Sequence, residues 1–119
     1  MENVNAAVSK SASFTRGTTP DYSFKISQDI SDWEVYLTFG QKGRELVTIK
    51  NPDVTPSNGG GCLITGRLTQ KDTLKFKKGE GEAQVRCYKN GVAAANPIKF
   101  KFEVFDIIMD GVIPKAVKQ

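Results

Sequence analysis

The sequence predicts an all-β protein: an antiparallel sandwich or small barrel of six or seven short strands, with one short helical turn. Three observations predict it. Asn90-Gly91 stands between two alternating runs, and both central positions of the tightest hairpin turns need positive φ, which Asn and Gly tolerate best. Turn signals recur at short, regular intervals along the whole chain. No segment between the candidate strands is long enough for repeated βαβ crossovers. The length of 119 residues suits one domain with a single core, and the 39% apolar and 25% charged fractions are ordinary globular values.

The elements follow in order. Residues 1–14 are polar and small, and read as a flexible arm ahead of a sandwich domain over residues 15–114. Pro20 biases Thr19 to extended backbone, which suits a chain entering a strand. Tyr22-Ser23-Phe24-Lys25-Ile26 has the period-two pattern of a half-buried strand. Trp33, Val35, Leu37 and Phe39 alternate with polar neighbours as a core strand. Gly40 to Arg44 makes a tight connection, and Glu45 to Lys50 returns with Val47 and Ile49 inward. Asn51 to Gly61, with two prolines and three consecutive glycines, reads as a loop. Cys62 to Leu68 is strand-like. Thr69 to Leu74 suits one helical turn, with Thr69 as N-cap and Asp72 three residues on. Leu74 and Phe76 are placed to plug one end of the core, and Lys77 to Gly81 reads as a loop. In the hairpin that follows, Ala83, Val85 and Cys87 share one face. Pro97 interrupts its second arm, which makes that arm an edge strand, a bulged strand, or one that changes partners. Ile98, Phe100, Phe102 and Val104 then alternate with polar residues. The inward set is therefore Phe24, Ile26, Trp33, Val35, Leu37, Phe39, Val47, Ile49, Ile64, Val85, Phe100 and Phe102. Phe105 to Pro114 is unusually apolar for a terminus; it either packs back on the sandwich or supplies a subunit contact. Residues 115–119 read as frayed.

Enzymatic constellations are lacking. The chain has no histidine, the commonest general base and metal ligand, and its two cysteines, Cys62 and Cys87, form no CxxC. They could pair if two strands bring them together; free, buried thiols are the expectation. The Asn58-Gly59-Gly60-Gly61 run has no following lysine or helix and is not a phosphate-binding loop. The sequence thus predicts a protein that is not an enzyme and holds no cofactor or metal. No apolar run approaches the ~20 residues that span a bilayer, and Met1 to Ser13 lacks the apolar region of a signal peptide. Synthesis in the cytoplasm, without membrane insertion, is the expectation.

Charge is unevenly spread. The net +4 arises between residues 67 and 91, where seven basic side chains (Arg67, Lys71, Lys75, Lys77, Lys78, Arg86, Lys89) face three acidic ones. Such a cluster is a candidate phosphate-binding patch, but the favoured reading is a solvated face that keeps the protein soluble, since dedicated nucleic-acid domains carry a denser basic face. A nucleic-acid-binding module using those seven residues is the alternative reading, and exposed aromatics such as Tyr36 and Tyr88 raise carbohydrate binding as a third.

Three stretches carry a family likeness: Arg16-Gly17-Thr18-Thr19-Pro20, Leu68 to Phe76 (LTQKDTLKF), and Ala83-Gln84-Val85-Arg86-Cys87. In that order they resemble small proteins encoded in the late structural regions of phages and prophages of Gram-positive bacteria. The likeness covers roughly residues 15–112. A weaker similarity is to the N-terminal β-sandwich of baseplate upper proteins. The resemblance implies an immunoglobulin-like sandwich in a virion, tail or baseplate protein, with other structural proteins or its own copies as partners. It transfers no functional residues. The glycine-rich Asn51 to Gly61 segment and the long N-terminal arm depart from the family pattern.

Overall fold

The computed structural model describes residues 13–113. They form nine strands and one helical turn: β1 (Phe14–Thr15), β2 (Asp21–Ile26), β3 (Glu34–Gln41), β4 (Arg44–Lys50), β5 (Asp53–Pro56), β6 (Cys62–Arg67), α1 (Gln70–Leu74), β7 (Gly79–Lys89), β8 (Val92–Ala95) and β9 (Phe100–Phe105). The larger sheet runs β1-β9-β7-β3-β4, with β8 also on β7; the smaller runs β2-β6-β5. The fold is all-β in two sheets, as the alternation of apolar residues predicts. No helix among the described residues is long and apolar enough to cross a membrane.

The two sheets meet through aromatic rings. Phe24 of the small sheet packs on Phe100 of the large one at 4.8 Å between centroids, and Tyr22 meets Phe39 edge-on at 5.5 Å. A second cluster closes one end, where Phe14 lies 5.3 Å from Phe76 and 5.5 Å from Phe102. Burying each such ring contributes about 1.5–3 kcal/mol. Ten of the twelve expected inward residues are buried; Trp33 and Ile49 are only partly so. Trp33 lies just before β3 rather than in it, with the Lys89 ammonium 5.8 Å over its ring.

Five details differ from the sequence reading. First, β1 pairs parallel with β9, Phe14 opposite Val104, so the sheet is not wholly antiparallel. Of the segment read as an arm, residues 1–12 lie outside the described residues, as does the frayed tail, while Phe14 is a core residue, 5% exposed. Second, the glycine-rich segment contains β5, which adds to β6 with Val54 opposite Ile64. Its Pro56 is tolerated because β5 is an edge strand. Third, β7 begins at Gly79, two residues before the expected loop ends. Fourth, Ile98 is 52% exposed and precedes β9. Fifth, with β1 and β5 added and β8 and β9 separate, the strands exceed the expected six or seven.

The hairpin forms as expected. Asn90 and Gly91 have φ of 49° and 82°, and Lys89 faces Val92 across the turn. Pro97 produces a bulge, not a change of partner. Arg86 pairs with Ala95 and Ala83 with Phe100, so the four residues 96–99 span two on β7. Asn96 fills this irregularity: its N–H donates to Val85 O at 3.0 Å, its carbonyl accepts from Gln84 Nε2 at 3.0 Å, and its Oδ1 accepts from Ile98 N at 2.9 Å.

Candidate functional site

Three surfaces are candidates, and the first is built around Arg16. Thr69 caps α1 in a reciprocal capping box with Asp72, as its sequence predicts, and directs the turn across one end of the sandwich. Thr73 is fully buried there. Its hydroxyl accepts from Gly17 N at 2.9 Å and donates to Thr18 O at 2.9 Å, stitching the Arg16–Pro20 segment to the turn. Arg16 completes the junction: Nε donates to Phe76 O at 2.7 Å and Nη2 to Leu74 O at 3.2 Å. Arg16 thereby satisfies carbonyls that a helix end leaves without partners. Two of the family-like stretches, Arg16–Pro20 and Leu68–Phe76, are thus one packed unit at the end of the core.

The same guanidinium holds the chain that leaves β9. Nη1 of Arg16 donates to Asp106 at 2.9 Å and Nη2 to Asp110 at 3.2 Å. The Asp106 carboxyl is held below the usual carboxylate range, first by the hydrogen bond from Ile107 N, then by Arg16, with Lys78 a lesser influence. Gln70 Oε1 accepts from Ile113 N at 2.8 Å. The segment is therefore fastened by polar contacts and by Ile107, which packs over Gly17, while most of its other apolar side chains face outward. Ile108 is fully exposed, and Phe105, Met109 and Ile113 are about half exposed or more. These residues form an apolar ridge.

The second candidate is the basic set. The structure brings together only part of it. Lys75, Lys77 and Lys78 line one groove together with Lys42 from the β3–β4 turn and Arg44 at the start of β4. Lys42 and Arg44 were missed by the sequence reading because they lie 30 or more residues away, in the half of the chain that carries no net excess of positive charge. Lys71 is exposed on α1 and does not line the groove. Arg67, at the end of β6, is paired with Asp21 at 2.7 Å, and Lys89 with Asp32 at 2.6 Å. Arg86 lies on the outer face of the large sheet beside Tyr36 and Tyr88.

That outer face is the third candidate. Tyr36 and Tyr88 flank a shallow depression of about 430 Å³ with Glu34, Arg86 and Thr48. Tyr36 is already engaged: its hydroxyl donates to Glu34 Oε1 at 3.0 Å and Lys50 lies 5.9 Å over its ring. Both thiols are free and buried. Cys62 donates to Asp29 at 3.4 Å and accepts from Ile30 N at 3.2 Å, and burial pushes its thiol up, as it does Cys87. Raised thiols of this kind are poor nucleophiles. Comparison with protein-family models and with curated proteins finds no match for the chain.

Proposed function

We propose that this chain is a non-enzymatic structural or attachment module of a phage or prophage particle, in its tail or baseplate region, built on an immunoglobulin-like sandwich. The apolar ridge from Phe105 to Ile113 carries the reading. A segment with no role beyond closing the fold would turn Ile108 and Met109 inward; here they face solvent while Arg16 holds the Asp106 and Asp110 carboxylates and Gln70 the Ile113 amide. Rigid apolar display of this kind fits a surface that a neighbouring subunit covers, because ordering has already been done before contact. The order of the three family-like stretches supplies the particle as the setting. The chain is made in the bacterial cytoplasm and joins the particle there. Mass spectrometry of purified particles from the strain that carries this gene tests the proposal. The chain is expected among the particle proteins; its absence from them would reject the structural role.

A further inference from the structure

The basic groove has a construction that surface lysines ordinarily lack. Gln41, at the end of β3, clasps the main chain of Lys77 in both directions. Lys77 N donates to Gln41 Oε1 at 2.8 Å, and Gln41 Nε2 donates to Lys77 O at 2.7 Å. This two-way clasp pins the segment between α1 and β7 against the β3–β4 turn. Lys42 and Arg44 then line, together with Lys75, Lys77 and Lys78, a groove of about 370 Å³. All five cations are exposed. None forms an ion pair among the described residues. The carboxylate in the lining, Glu80, stands 3.8 Å from Lys101, and Lys78 lies close enough to Asp106 to act weakly on it. Folding has gathered like charges that repel, and among the described residues no ion pair offsets them.

We infer that this groove binds the phosphate backbone of a nucleic acid, without reading its sequence. Phosphate is favoured over an acidic polypeptide by charge spacing. Along one strand a duplex carries one charge per ~3.4 Å of axis. An extended peptide rises ~3.3 Å per residue and turns alternate side chains away, so it offers at most one carboxylate per ~6.6 Å. No aromatic side chain lines the groove, and nearby Phe76 is buried in the core, so no base can stack. The inference is independent of the ridge, which lies on different side chains.

Fluorescence anisotropy with a labelled, mixed-sequence DNA duplex tests it. Binding is expected at low salt. If two to four phosphates are neutralised, affinity falls roughly 10- to 150-fold between about 50 and 200 mM salt. The Lys42→Glu/Arg44→Glu pair and the Lys75→Glu/Lys77→Glu/Lys78→Glu triple should each weaken binding about 10-fold or more, with melting temperature showing that both remain folded. Arg67→Glu/Arg86→Glu, which alters charge away from the groove, should change it less than about 3-fold, and Ile108→Asp should leave it unaltered. Three results would overturn the inference: no binding by the wild type at low salt, equal weakening by the control pair, or displacement of the duplex by a poly-glutamate peptide at matched charge, which would assign the groove to an acidic polypeptide.

Discussion

Arg16 does more than any other single side chain to join the parts of this molecule. It donates to two main-chain carbonyls in the α1–β7 connection and to two carboxylates of the C-terminal segment, with its own side chain only 14% exposed. Charged donors to buried acceptors contribute more than neutral ones, because the acceptor left behind is costly. Arg16→Met keeps most of the side chain's length and removes every donor. It is expected to destabilise the fold by about 2–3 kcal/mol in urea denaturation. It should also free the Asp106 to Ile113 segment, seen as faster proteolysis there under conditions where the core resists. A variant as stable and as protease-resistant as the wild type would contradict this assignment. Nothing in the sequence singles out Arg16 for this work. Its partners lie about 60 and 90 residues away and include main-chain carbonyls, which carry no sequence signal.

At the scale of elements, close approach of aromatic rings to glycine shapes both sheets. Phe102 faces Gly81 across β7 and β9, and Tyr22 faces Gly66 across β2 and β6. In each pair the ring occupies the space where a Cβ on the glycine would stand. Gly91 has a different role, since its φ of 82° belongs to the tight turn and strains any L side chain. Gly91→Ala is expected to cost about 1 kcal/mol, while Asn90→Gly should be nearly neutral; equal stability of Gly91→Ala and the wild type in chemical denaturation would refute the turn assignment. β2, β3, β7 and β9 are legible in the sequence through a buried face and strict alternation, and β4, β6 and β8 as shorter strand-like runs bounded by turn residues. β5 was not legible because its burial is slight and its composition, Asp53-Val54-Thr55-Pro56, is that of a loop. β1 was not legible because two residues carry no period, and its pairing with β9 depends on chain separated by about 90 residues. The basic groove was half legible. The lysines between α1 and β7 stand out as a run, but Lys42 and Arg44 reach them only through the pairing of β3 with β7 and the clasp by Gln41, which link distant parts of the chain.

At the scale of the whole molecule, pH bounds stability from both sides. Asp21, Asp29, Asp32 and Asp106 are all held below the ordinary aspartate value of 3.8, chiefly by hydrogen bonds from Arg67, Ser31, Lys89 and the Ile107 amide respectively. Their contribution is present above that value and is lost as pH falls through the lower folded values. Tyr22, Cys62 and Cys87 are raised by burial above 10.0, 9.0 and 9.0. Their contribution is present below those values and is lost as pH rises through the still higher folded ones. Thermal unfolding should therefore show a plateau of Tm across roughly pH 5 to 8, with decline on both sides. A Tm that climbed steadily toward pH 3 would contradict this charge arrangement.

At the same scale, the proposed role is that the apolar ridge joins this sandwich to a neighbour in a particle. The direct measurement is incorporation: quantitative mass spectrometry of purified particles assembled with either the wild-type chain or the Ile108→Asp/Met109→Asp variant. Both positions are exposed, Ile108 at 103% and Met109 at 64%, so the variant should fold and melt like the wild type. The wild type is expected in stoichiometric amount and the variant depleted about 10-fold or more, since carboxylates buried at an apolar contact are strongly disfavoured. Incorporation of the folded variant at the wild-type level would contradict it.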